Sequence, residues 1–150
     1  MPSPHRTREI AKYEARHTTV KAVTTGTTAL VEADTGKLIS VDNSGGNVTL
    51  TLPTPVAGQT FTILLTATGT DKNLILNAAA SANYYKGGLV WLDTDDTGTH
   101  LFSSAPNGSS HYQLDIDDPE LGSTITAITD GTYWYLQGTI MDPANAPTWA

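Results

Sequence analysis

The residues best placed to do chemistry are clustered acids. In LDTDDTGTH, Asp93, Asp95 and Asp96 precede Gly98. Spaced carboxylates around a glycine turn are what a calcium loop needs. The pattern departs from an EF-hand, because Thr97 stands where a further Asp or Asn belongs and no Glu closes the loop. A solvated turn is the simpler reading. Asp115, Asp117, Asp118 and Glu120 form a second acidic run, read as a charged loop before Leu121. His5, His17, His100 and His111 show no pair at metal-ligating spacing. A hydrolase could draw on His111, Ser109 and an Asp, but no G-x-S-x-G elbow is present. Gly45-Gly46 and Gly87-Gly88 read as turn residues, since neither belongs to a phosphate-cradling motif. Tyr84, Tyr85 and Trp91 could form a platform for a sugar, although core or subunit packing is the commoner use of such aromatics. Tyr133 and Tyr135 invite the same comparison, and their face is the best choice for a subunit contact. No catalytic residue, metal or cofactor is assigned.

The elements that must carry these residues are set by composition. The chain has 150 residues, enough for one domain with its own core. Charged residues are only 15%, while Thr reaches 25 residues. Thr is β-branched and suits pleated strands better than helices. The absence of Cys excludes disulfides and thiolate metal sites. No apolar run is long enough to span a membrane as a helix, and the polar, basic start lacks a secretory h-region. The net charge of −7 is divided unevenly: residues 1–21 carry five Lys/Arg against two Glu, and the remainder carries three against thirteen acids. An acidic body offers no footprint for nucleic acid.

Residues 1–16 read as a basic arm that orders on a partner. Thr7 is a possible N-cap, with Ile10 and Tyr13 at helical spacing. Residues 17–150 read as a β domain of eight to ten short strands. Thr27 to Ala33 and Lys37 to Val41 are expected to form an antiparallel hairpin around Asp34-Thr35-Gly36. Val48, Leu50 and Leu52 alternate with polar residues, as do Phe61, Ile63 and Leu65. LVWLD, HLFSS and HYQLDI are further strand candidates. The last hairpin runs from Ser123 to Ile140. A two-residue turn at Asp130-Gly131 would pair Ile128 with Tyr133, Ala127 with Trp134 and Thr126 with Tyr135. Ile125, Ala127, Trp134 and Leu136 would then share an apolar face, leaving Ile128, Tyr133 and Tyr135 on the other. Trp149 is either an anchor on a neighbour or exposed. No internal repeat is evident. The expected fold is an all-β antiparallel sandwich or jelly-roll-like barrel with an extended N-terminal arm.

The stretch VTLTLPTPVAGQTFTI after VDNSGG, with TDGTYWYLQG near the end, resembles β-rich structural proteins of tailed bacteriophages. The resemblance is to head decoration (cement) proteins and related fibre modules, and spans roughly residues 26–140. It implies a non-enzymatic virion protein on the outer capsid surface, made in the host cytoplasm, commonly a homotrimer, bound to the major capsid protein and stabilising the head. It further implies that the N-terminal segment, with Arg6, Arg8, Ile10, Tyr13 and Arg16, contacts the shell. Ile128, Tyr133 and Tyr135 are assigned to the subunit interface. The alternative is a fibre or receptor-binding module holding host glycans on Tyr84, Tyr85 and Trp91. Neither reading calls for nucleic acid or a membrane.

Overall fold

A computed structural model describes residues 19–95, 100–143 and 145–150. The arm residues Arg6, Arg8, Ile10, Tyr13 and Arg16 lie outside the described residues, as do Asp96 and Gly98. The all-β sandwich expected from composition is what the chain forms. Among the described residues there are twelve strands rather than eight to ten: β1 (Val20–Val23), β2 (Gly26–Ala29), β3 (Leu38–Asp42), β4 (Val48–Thr51), β5 (Thr60–Ala67), β6 (Leu74–Asn77), β7 (Tyr85–Asp93), β8 (His100–Ser104), β9 (Gln113–Ile116), β10 (Thr124–Thr129), β11 (Trp134–Asp142) and β12 (Thr148–Trp149). They build a seven-stranded sheet, β1-β3-β5-β10-β11-β7-β8, and a five-stranded sheet, β12-β9-β6-β4-β2.

The sheets are mixed, which corrects the antiparallel expectation. From β1 to β6 the chain alternates between sheets. Odd strands stack parallel in the larger one and even strands parallel in the smaller. This is a coil with two strands per turn. Val20 aligns with Leu38 and Leu38 with Thr62, while Gly26 aligns with Val48 and Val48 with Leu74. The structure therefore repeats where the sequence does not, because the spacing between aligned residues changes from coil to coil. Side chains tie the coils together at one end: Asn73 N–H donates to Asn47 Oδ1 at 3.0 Å, and Asn73 Nδ2 donates to Asp115 Oδ1 at 2.9 Å.

Residues 27–41 do not form a hairpin. β2 and β3 belong to different sheets, joined by a 3-10 turn at Glu32–Asp34. Two buried groups explain the correction. Leu30 is in the core, and Asp34 is an anchor bound by Lys21, by Lys37 at 2.9 Å and by Val31 N–H at 3.1 Å. Burial alone would raise the Asp34 pKa, but the bonds from Lys21, Lys37 and Val31 outweigh it and hold it at about 2.

After β6 the chain completes both sheets. β10 lies antiparallel to β5, β11 to β10, and β8 to β7, while β7 runs parallel to β11. β9 and β12 extend the smaller sheet. Inward residues at every second position fill the space between the layers: Ile39 and Val41, Val48 and Leu50, Phe61 and Ile63, Leu114 and Ile116. Each such side chain contributes roughly 1.5–3 kcal/mol by leaving water. Trp134 lies at the centre, 5.7 Å from Phe61 between ring centroids. Outward positions hold the Thr excess; Thr62 and Thr126 are neighbours across β5 and β10, as are Thr27 and Thr49 across β2 and β4.

Two further details differ from the sequence reading. Trp149 is half-buried on its own domain, edge-on to Tyr85, with Nε1 donating to Ser104 Oγ at 2.8 Å. Gly87-Gly88 is inside β7 rather than in a turn. At Gly87, φ is +86°, and a Cβ would sit 2.2 Å from the Leu136 carbonyl oxygen, so only glycine fits.

Candidate interaction surface

The last hairpin positions the main candidate surface, and its register is displaced from the one expected. Thr129 pairs with Trp134, Ile128 with Tyr135, Ala127 with Leu136 and Thr126 with Gln137. The turn is four residues, Asp130 to Tyr133, because the Asp130 side chain reorganises it. Its Oδ1 accepts the N–H groups of Thr132 at 2.8 Å and Tyr133 at 3.0 Å, which a two-residue turn would not offer together. The displacement moves every partner by two positions. Side chains alternate with a period of two, so the faces survive. Ile125, Ala127, Trp134 and Leu136 are all buried as expected, and Ile128 and Tyr135 point out.

Ile128 and Tyr135 are therefore direct cross-strand neighbours on the outer face of the larger sheet. They are 39% and 41% exposed. Tyr135 lies beside Lys86 of β7. Its hydroxyl donates to Asp130 Oδ2 at 2.9 Å, which fixes the ring. The hydrogen bonds from Tyr133 N–H, Thr132 N–H and Tyr135 lower the Asp130 pKa, and the Asp130 carboxylate raises that of Tyr135. Tyr133 stacks on Tyr84 with centroids 6.2 Å apart, and Lys86 Nζ lies 4.6 Å from the centre of the Tyr133 ring. Lys86 also donates to the Gly108 carbonyl. A shallow groove of about 290 Å³ opens next to this cluster, lined by Gly87, Gly88, Ile128, Tyr135, Leu136 and Gln137. Gly88, between Lys86 and Val90 on the outer side of β7, lines it without a side chain.

The three residues assigned to a subunit contact, Ile128, Tyr133 and Tyr135, are thus brought together. Lys86, Asp130 and Gly88 complete the surface and were not anticipated. Asp130 carried a usable signal, since an Asp opening a turn commonly captures the N–H groups that follow. Lys86 and Gly88 carried none, because they arrive through the parallel pairing of β7 with the distant β11.

The sugar platform does not form as expected. Tyr85 is fully buried, and its hydroxyl donates to the Leu76 carbonyl at 3.1 Å. Burial raises its pKa well above the ordinary value. Tyr84 belongs to the Tyr133 stack, and Trp91 stacks on Phe102 at 4.8 Å, further along β7. The three aromatics do not share a surface.

The remaining chemical candidates are engaged in loops and at strand positions. Asn107 Oδ1 accepts the N–H groups of Ser109, Ser110 and His111, while His111 Nδ1 accepts the Asn107 N–H at 3.0 Å. Ser109 and His111 thus help to close a polar loop. In the second acidic run, Asp115 binds Asn73, Asp117 accepts from Asn145 at 3.5 Å, and Asp118 accepts the Asp71 N–H at 3.1 Å. Asp93 Oδ1 accepts the Asp95 N–H at 3.4 Å. Among the described residues, no three His, Cys, Asp or Glu side chains gather as a metal-ligand set. No described helix is long and apolar enough to cross a membrane. No protein-family model matches the chain, and no curated protein matches it.

Proposed function

We propose that this chain is a non-enzymatic virion structural protein that binds the outer surface of a phage head and stabilises it. The observation that carries the reading is the outward Ile128–Tyr135 pair beside its groove. It is an exposed apolar and aromatic pair on the outer face of the larger sheet. In this reading the surface, with Tyr133, is the contact between subunits of a homotrimer. The basic segment holding Arg6, Arg8, Ile10, Tyr13 and Arg16 contacts the major capsid protein. Three arms on one trimer would bind jointly, each raising the effective concentration of the others. A ligand that binds only the assembled shell shifts the equilibrium towards the shell. The acidic body, facing water, would keep particles apart. The phage resemblance at residues 44–63 and 129–138 supports the same reading. The fibre-module alternative loses its sugar platform with the burial of Tyr85.

The test is capsid binding by the full chain and by a variant lacking residues 1–16, with solution mass measured alongside. The expected result is a trimeric mass for both and capsid saturation for the full chain alone. Saturation by the truncated chain would remove the arm from the mechanism. A full chain that ignores capsids but binds a glycan array would replace the reading with the fibre-module one.

A further inference from the structure

The larger sheet has two edges, β1 and β8, and they are built differently. On β1, Lys21 pairs with the inward position Ile39 and is held by Asp34. A charge on the inward side of an edge strand blocks the addition of another strand. Among the described residues, β8 carries no such charge. His100-Leu101-Phe102-Ser103-Ser104 contains no Lys, Arg, Asp, Glu or Pro. Leu101 is 67% exposed and Phe102 45%. Among the described residues no strand lies beyond β8. A five-residue edge with no Lys, Arg, Asp or Glu and two exposed apolar side chains is a template for pairing.

We propose that β8 pairs antiparallel with β8 of a second copy of this chain, about a twofold axis through Phe102. Two features of the strand select a second copy as the occupant. The first is shape. The twofold sets Leu101 of one copy opposite Ser103 of the other, large against small, on the outer face. On the inner face it sets Phe102 against Phe102, joining the two Trp91–Phe102 stacks into one aromatic cluster. The second is charge. Copies of a chain with net charge −7 repel over most of their surfaces, and β8 lets them meet without opposing like charges. A five-residue strand pair is smaller than a standard interface, so the contact depends on concentration and is strongest where copies are already held close together. It is separate from the Ile128–Tyr135 surface and does not rest on the phage reading.

The full chain has no Cys, so single cysteines report contacts cleanly. Directly opposed residues on antiparallel strands have Cα separations that a disulfide can span. Phe102→Cys is expected to oxidise to a covalent dimer roughly tenfold faster than Val31→Cys, an exposed control on the 3-10 turn. Adding Ser103→Lys to Phe102→Cys should return the rate to that of the control, since it places an extra cation at the edge. Ser103 is exposed, so this change should leave the melting temperature unaltered. Equal rates for Phe102→Cys and Val31→Cys would overturn the proposal. So would fast cross-linking that Ser103→Lys leaves unchanged. Ile128→Asp separates the two surfaces. A variant that loses trimer mass but keeps Phe102→Cys cross-linking supports the edge contact whatever happens at the trimer face. Cross-linking abolished by Ile128→Asp would assign it to the trimer and overturn the twofold.

Discussion

Lys21 on the edge strand β1 holds Asp34 at the point where the chain passes from the smaller sheet to the larger. Lys37 binds the other carboxylate oxygen at 2.9 Å. One buried carboxylate thus ties together β1, the crossing and the entry to β3. Its pKa is held at about 2 against an ordinary 3.8. A depressed carboxylate pKa stabilises the fold above the unfolded-state value and loses that effect as pH falls through the folded-state value. The contribution, about 2 kcal/mol by linkage, should be complete near neutrality and decline between about pH 4 and pH 2. Asp34→Asn should therefore lower stability by about that amount at pH 7, with the deficit shrinking in acid. Urea denaturation of both chains across this range is the measurement. A deficit that stays constant down to pH 2 would mean that the ion pairs do not carry it.

Gly138 sets a stricter packing limit than any turn glycine. A Cβ there would lie 2.0 Å from the Thr124 carbonyl oxygen and 2.9 Å from the Ile125 Cα, inside the β10–β11 ladder. Backbone on both sides leaves little room for relaxation. Gly138→Ala should cost about 3 kcal/mol or more. Gly36 is the comparison: its φ is +77° but nothing lies within 4 Å of an added Cβ. Gly36→Ala should show only the left-handed backbone cost, about 1 kcal/mol. Denaturation midpoints of the two variants separate overlap from strain. Equal losses would place the cost in backbone conformation alone.

Much of the fold was legible where it depends on local alternation. Val48, Leu50 and Leu52, and Phe61, Ile63 and Leu65, are buried as their period of two requires. The parallel coil was not legible. Alternation says which side of a strand is buried, but not which distant strand lies beside it. Asp34-Thr35-Gly36 resembles a hairpin loop, and only the burial of Leu30 and Asp34 decides for a crossing instead. In the candidate surface, Ile128 and Tyr135 were legible because a displacement by two positions preserves the faces. Lys86 and Gly88 were not, since the β7–β11 pairing that delivers them has no local signature.

The observed register can be distinguished from its neighbour by covalent chemistry. Thr126 is opposite Gln137, whereas a two-residue turn would put it opposite Tyr135. Directly opposed cross-strand Cα atoms are roughly 4.5–5.5 Å apart, within disulfide range. In a chain without other Cys, the pair Thr126→Cys with Gln137→Cys should form an intramolecular disulfide readily. Thr126→Cys with Tyr135→Cys should form one poorly. Thiol titration after mild oxidation reads the result directly. The reverse order would place the turn at Asp130-Gly131 alone.

The Asp130–Tyr135 bond makes the candidate surface sensitive to alkali in a defined direction. Tyr135 donates to Asp130 Oδ2, so ionising the phenol removes the donor and sets two negative groups together. That is why the Tyr135 pKa lies above 10.0; the Asp130 pKa lies below 3.8 chiefly through the N–H groups of Tyr133 and Thr132, with the Tyr135 hydroxyl as a further donor. Asp130→Asn removes the charge and should return one tyrosine ionisation towards the ordinary value. Ultraviolet titration detects this, and Tyr135→Phe assigns the step by eliminating it. Tyr85 also ionises late, but through burial, so it should be indifferent to Asp130. Asp130→Asn should keep the turn, because an amide oxygen still accepts the N–H groups of Thr132 and Tyr133. Asp130→Ala should lose both the turn bonds and the ring anchor, and melt at a lower temperature than Asp130→Asn. If the two variants melted alike, the side-chain oxygen would not be what holds the four-residue turn, and the fixed orientation of Tyr135 would need another cause.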